Sequence, residues 1–146
     1  MPTTRRHRTL RAERADVWDV VADPHHLPRW WPRVGRVEGV DAERWTQVFL
    51  TEKGKPIRAD YRLIASEPPS RREWEQEVAD SPFERVLQES VTEVRLDPQG
   101  EAATCVTIEV RQRLRGLSRL GGFMVRRASR RLLDEALEGL RVACER

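Results

Sequence analysis

A double change of hydrophobic period constrains this chain more than any other feature. Between Ala15 and Ala22, Val17, Trp18, Val20 and Val21 make one helical face. From Val34 to Leu114 the spacing becomes two. After Gly116 it is helical again, with Leu120, Met124, Ala128, Leu132, Ala136 and Leu140 at every fourth position and Phe123, Leu133, Leu137 and Cys144 widening the stripe. At 1.5 Å per residue a helix from about 123 to 143 spans ~30 Å, long enough to cross a whole sheet.

The period-two region divides at turn residues into six strands: 34–40, 44–52, 57–65, 71–79, 85–96 and 103–114. Short turns such as Lys53-Gly54-Lys55-Pro56 and Asp97-Pro98-Gln99-Gly100 imply an antiparallel meander. Residues 3–12 form a further strand before the first helix. Asp23-Pro24 stops that helix, because a residue before proline avoids the helical region. His25 to Trp31 then forms a second short helix, with Pro28 in its first turn and Pro32 at its end. The predicted class is α+β: a curved antiparallel seven-stranded sheet wrapped around a long C-terminal helix, with two short helices after strand 1. A strongly curved sheet closed by one helix leaves a cavity between them.

At 146 residues the expectation is one domain over 1–146, large enough to bury a core without staples. No apolar run reaches the ~20 residues of a spanning helix. The N-terminus is basic but no apolar segment follows, so the reading is not a secretory signal and the expected location is cytoplasmic. Cys105 and Cys144 have no metal-ligand spacing and read as free thiols. His25 and His26 are adjacent and His7 stands alone, so no metal site is expected. Net charge is +3, but the signs are interspersed, and nucleic acid is not the expected partner. The run from Arg111 to Arg131 holds eight arginines and no acid. It reads as a solvated face, with a basic interaction patch as the alternative.

The order of one strand, two short helices, six strands and one long helix, with Trp18 and the run Asp23-Pro24-His25-His26-Leu27-Pro28-Arg29-Trp30-Trp31-Pro32, resembles the START-like (SRPBCC) superfamily. Within it the chain is most similar to the polyketide cyclase/dehydrase family, and the resemblance covers essentially the whole chain. The Trp-Trp-Pro pattern is also similar to the chaperone-activator-like branch. The resemblance implies a helix-grip fold with a deep apolar cavity between sheet and C-terminal helix. It implies binding of lipids, plant hormones or aromatic polyketides, and in some members cyclisation or dehydration of poly-ketone chains.

Alternation picks the inward faces. With Arg71, Glu73, Glu75 and Glu77 facing water, Trp74, Gln76 and Val78 point inward. By the same rule Gln88, Ser90, Thr92 and Val94 face in, opposite Glu89, Glu93 and Arg95. So do Ile57, Ala59, Tyr61 and Leu63, and so do Thr104, Val106, Ile108, Val110, Gln112 and Leu114. In 44–52 the pattern favours Trp45, Gln47 and Phe49 inward. The candidate ligand-binding set is Trp30, Phe49, Tyr61, Trp74, Gln76, Gln88, Ser90, Thr92 and Gln112, with Phe123 and Met124 at an adaptable entrance. The polar members pair with ligand oxygens and water, or with each other. Tyr61, the only tyrosine, is the one catalytic candidate: the cyclase resemblance allows its phenol to donate to a carbonyl or enolate. No inward carboxylate pair, nucleophile elbow or phosphate loop is visible, so whether the chain is an enzyme stays open, and no cofactor is implied. The expected function is binding of a hydrophobic small molecule, lipid-like or aromatic, by a monomer or homodimer. The alternatives are a polyketide aromatase/cyclase or dehydrase, and a basic interaction module.

Overall fold

The computed structural model describes residues 3–115 and 122–145. In chain order these are β1 (Thr3–Leu10), α1 (Arg14–Val21), a 3-10 turn (Pro24–His26), α2 (Leu27–Trp30), β2 (Val34–Glu38), β3 (Arg44–Leu50), β4 (Pro56–Glu67), β5 (Arg71–Glu77), β6 (Leu87–Pro98), β7 (Thr104–Leu114) and α3 (Gly122–Cys144). The α+β layout predicted from the periods is the one observed, and it has the helix-grip order that the resemblance implies. Asp23 starts the 3-10 turn as a side-chain cap, its carboxylate accepting the His25 N–H at 2.9 Å.

All seven strands form one antiparallel sheet in the order β1-β7-β6-β5-β4-β3-β2. β2 to β7 are the meander, and β1 joins its far end in register from Thr3↔Arg111 to Leu10↔Thr104. α3 packs chiefly on β1 and on the α1–α2 segment. The core lies between them: Leu10, Val17, Val94, Val106, Ile108, Leu133, Leu137 and Leu140 are almost wholly excluded from solvent.

The long amphipathic stripe is only half used. Leu133, Ala136, Leu137 and Leu140 are buried, but Met124 is 74% exposed and Ala128 is exposed too. Only the C-terminal part of α3 is seated against β1, α1 and α2; its first turns are studded with Arg126, Arg127, Arg130 and Arg131 and remain largely solvated. Leu120 lies outside the described residues.

A second correction comes from a bulge. The β6–β7 register shifts between Leu87 and Glu89. One extra residue in a strand reverses the facing of the side chains beyond it. Gln88, placed inward by simple alternation, is therefore exposed, and Leu87 is buried instead.

On the outer face Glu73, Glu93 and Glu109 stand side by side across β5, β6 and β7. Like charges directly opposite are unfavourable. Arginines resolve the conflict: Arg71 and Arg95 each donate to Glu93 at 2.6 Å, Arg111 donates to Glu73 at 3.0 Å, and Arg5 donates to Glu109 at 2.8 Å. Arg71 also bridges to Glu73. Alternation predicts Glu73 and Glu93 facing water; they lie on the outer face, but these guanidinium groups cover them to 7% and 5% exposure. Burial works against the Glu93 carboxylate, and the hydrogen bonds from Arg71 and Arg95 overcome it, holding its pKa below the usual carboxylate range. Arg111, the start of the basic run, is thereby part of an ion-pair network. Arg127, Arg130 and Arg131 share a shallow groove with Asp134, Glu135 and Glu138. Cys105 and Cys144 are free thiols.

Candidate ligand cavity

Between the concave sheet face, Trp31 and Leu132 lies a cavity of about 970 Å³. Its size is that of a small-molecule site. The inner wall is aromatic and aliphatic: Trp31, Phe49, Tyr61, Trp74, Phe83, Leu87 and Val110. Gln47, Gln76, Ser90, Thr92 and Gln112 supply polar groups. The outer end is rimmed by Arg33, Leu50, Glu52, Lys53, Lys55 and Pro56, all exposed, so the cavity opens there to solvent.

Seven of the predicted residues therefore line one space: Phe49, Tyr61, Trp74, Gln76, Ser90, Thr92 and Gln112. Register explains the clustering, for Tyr61 is opposite Gln76, Trp74 opposite Thr92, and Ser90 opposite Gln112. Gln88 and Met124 do not line it, for the reasons given above. The Phe123 side chain lies outside the described residues.

The adjacent tryptophans part company. α2 ends at Trp30, and Trp31 is already extended, with φ −85° and ψ 128°. That break sends the two indoles in different directions. Trp30, the predicted wall, is only 2% exposed and packs in the core; Trp31 faces the cavity. Their rings meet edge to face at 5.4 Å. The contacts continue from Trp31 to Trp74 at 6.1 Å and from Trp74 to Trp45 at 6.2 Å. Trp45 then stacks on Tyr61 at 6.0 Å with planes 9° apart. The buried Arg72 guanidinium caps the column, 5.6 Å from the Trp45 centroid. Burial lowers its pKa, and Asp23 works in the other direction. These rings form a rigid wall built of edge and face contacts.

The polar groups are short of partners. Gln47 Oε1 and Gln76 Nε2 are buried and make no hydrogen bond. Each such atom costs about 1–3 kcal/mol if nothing meets it. Among the described residues the Tyr61 hydroxyl also has no hydrogen-bond partner. Desolvation in this apolar wall pushes the Tyr61 pKa far up, so the phenol is a neutral donor across the physiological range. The arrangement can hold an apolar body, offer one acceptor and several donors to its oxygens, and donate a proton-bearing hydroxyl at Tyr61. Among the described residues no group of three or more His, Cys, Asp or Glu is placed to hold a metal.

The candidate set drawn from the sequence left out Trp31, Phe83, Gln47 and the rim. Alternation with Phe49 placed Gln47 inward without suggesting a role. For the rim the available signal was Lys53 and Lys55, the only lysines of the chain, two positions apart in one turn.

A family model described as "Polyketide cyclase / dehydrase and lipid transport" matches residues 1–145. No curated protein matches the chain. Among solved structures, a START superfamily protein from Mycobacterium smegmatis superposes with TM-score 0.80 at 11% identity, over 98% of this chain and 97% of its own. A Chromobacterium violaceum protein gives TM-score 0.78 at 20% identity, over 99% and 97%. The di-domain ARO/CYC protein BexL of the BE-7585A biosynthetic pathway gives 0.71 at 13% identity, over 99% of this chain and 50% of that one. At these identities the likeness is one of fold. Among the described residues no helix is long and apolar enough to cross a membrane.

Proposed function

Because the chain belongs to the family of polyketide cyclases/dehydrases and lipid-transport proteins, we propose that it binds an apolar small molecule, lipid-like or polycyclic aromatic, between sheet and C-terminal helix. One observation carries this reading: two buried amide atoms, Gln47 Oε1 and Gln76 Nε2, are unpaired in an aromatic-walled cavity of about 970 Å³. Buried polar atoms in folded proteins are almost always paired. A ligand oxygen, or water held in its place, supplies the missing partner.

Native mass spectrometry and solvent extraction of the purified protein test the reading, with tryptophan fluorescence as the titration signal, since Trp31 and Trp74 border the cavity. A co-purified apolar mass, or saturable quenching by lipids or polyphenols, is expected. An empty protein that binds nothing in such a panel rejects the reading.

A second reading has its own observation. Tyr61 borders the cavity with an unpaired hydroxyl kept neutral by desolvation. Such a phenol can hydrogen-bond a ketone oxygen as charge develops there, while the cavity walls fold a poly-ketone chain into reach of itself. On this reading Tyr61→Phe lowers cyclised product about 10²-fold or more with the fold intact; unchanged turnover removes the role. The third possibility, a basic interaction module, has less support, since Arg111 is tied into the outer-face network and the helical arginines share their groove with carboxylates.

A further inference from the structure

We propose that the bound molecule is an amphipathic acid: an apolar body inside the cavity and an anionic head group, carboxylate or phosphate monoester, held at the mouth by Lys53, Lys55 and Arg33. This rests on the binding reading above and narrows it to a ligand class.

The mouth is built to present charge. The β3–β4 turn is closed by backbone bonds, Gly54 N–H to the Thr51 carbonyl at 2.8 Å and Thr51 N–H to the Lys55 carbonyl at 3.2 Å. The Thr51 hydroxyl oxygen accepts the Lys55 N–H at 3.1 Å. Both lysines are thereby set at the cavity rim. Arg33 joins them from the other side. Its φ of 65° is left-handed, rare for a side-chain-bearing residue. Its carbonyl accepts the Leu50 N–H at 2.9 Å, which pins it beside the turn. Departures of this kind gather at binding sites.

The cations at the rim differ from their neighbours. On the adjoining strands Arg36, Arg44, Arg58 and Arg62 each meet a carboxylate at 2.8–3.6 Å. Among the described residues Arg33, Lys53 and Lys55 form no ion pair, and Glu52 is the only carboxylate on the rim. Three cations against one acid leave a net positive opening. Among the described residues no cation lines the interior: its donors, Gln76, Ser90, Thr92, Gln112 and the Tyr61 hydroxyl, are neutral and set among Trp31, Trp74, Phe83 and Val110, so a full charge is better compensated at the mouth. An acid therefore enters body first and keeps its head between the three cations.

The test compares palmitic acid, its methyl ester and hexadecyl phosphate by fluorescence competition, for the wild type and a Lys53→Ser/Lys55→Ser variant. The wild type is expected to prefer the acid or the phosphate over the ester by about fivefold or more. That preference should shrink as ionic strength rises. The variant should bring the ratio near one while ester binding stays unchanged. Tighter binding of phosphate or of carboxylate identifies which head group the mouth takes. Equal binding of acid and ester by the wild type, or a preference that survives in the variant, overturns the proposal and leaves the cavity reading standing. Failure of all three probes overturns the proposal, and the cavity reading falls with it only if the lipid and polyphenol panel fails too. If the variant loses binding to phosphatidylserine vesicles yet keeps its acid-to-ester ratio, the cations serve a membrane surface and the proposal is also overturned.

Discussion

Gly139 of α3 lies against Trp30 of α2 so closely that a methyl group added at Gly139 would sit 2.4 Å from the Trp30 carbonyl oxygen and 2.9 Å from its Cα. The obstacle is backbone, which cannot rotate aside as a side chain could. In an ordinary mid-helix position Gly→Ala stabilises by about 1 kcal/mol. Here Gly139→Ala should destabilise by about 1–3 kcal/mol, since either α2 or α3 must shift. Urea unfolding gives the sign, and a more stable variant would mean that the two helices separate freely.

The unpaired amides predict an opposition between stability and binding. Gln47→Leu and Gln76→Leu each replace a buried, partnerless polar group by an apolar one of similar size. Each should leave the ligand-free protein as stable as the wild type or about 1 kcal/mol more so. Each should also weaken ligand binding, as seen by tryptophan fluorescence titration. A clear loss of stability with binding intact would show that the amides serve the fold rather than the ligand.

Acid should undo the outer face. Glu93 titrates below the usual carboxylate range, against its own burial, because Arg71 and Arg95 hold its charged form. Glu138 is held at about 2 chiefly by its hydrogen bond from Arg141, against desolvation, with Arg8 adding to the lowering. Folded values below the unfolded 4.5 give stability that is present above that pH and lost as pH falls toward the folded values. Stability by urea unfolding should therefore fall between about pH 5 and pH 2. Glu93→Gln should flatten that fall and cost about 1–3 kcal/mol at pH 7, as it leaves Arg71 and Arg95 without their carboxylate. An unchanged acid slope would assign the fall to other groups.

Tyr61 makes the matching prediction in alkali. Desolvation raises its pKa well above the ordinary 10.0. A folded value above the unfolded one gives stability that is complete below pH 10 and lost as pH rises beyond it. Absorbance near 295 nm should show no phenolate in the folded protein at pH 10.5, with ionisation appearing together with unfolding. Free titration near 10 in the folded state would place the hydroxyl in water and remove it from the cavity wall. Ligand saturation should push the onset of unfolding to still higher pH.

Strand count, order of elements and most inward residues were readable because each depends only on period and turn chemistry. The side chains that alternation misplaced are those governed by something longer in range. Gln88 faces out because of a bulge against β7, which leaves no mark in the local pattern of β6. Met124 belongs to a periodic stripe whose partner surface ends partway along the helix. Trp30 and Trp31 are indistinguishable as residues, both are buried, and only the end of α2 between them decides which one borders the cavity. Glu73 and Glu93 were placed on the correct face, but their burial is produced by Arg71, Arg95 and Arg111 reaching across strands, which no single-strand pattern encodes.

The position of β1 bears on how the protein can be made. Its register partner for Arg5 is Glu109, Arg6 meets Asp134 at 2.8 Å, and the Arg11 N–H meets Glu145 at 2.9 Å. β1 is made before every other described element and waits for β7 and then α3 before it finds these contacts. The meander can begin to pair during synthesis through local hairpins. Its concave apolar face stays uncovered until α3 has emerged, and the edge of β7 stays open until β1 returns to it. Loop closure across nearly the whole chain comes late and slowly. A nascent chain paused before α3 would expose the same aromatic surface that later forms the cavity wall, and during that interval it is most open to chaperones and to aggregation.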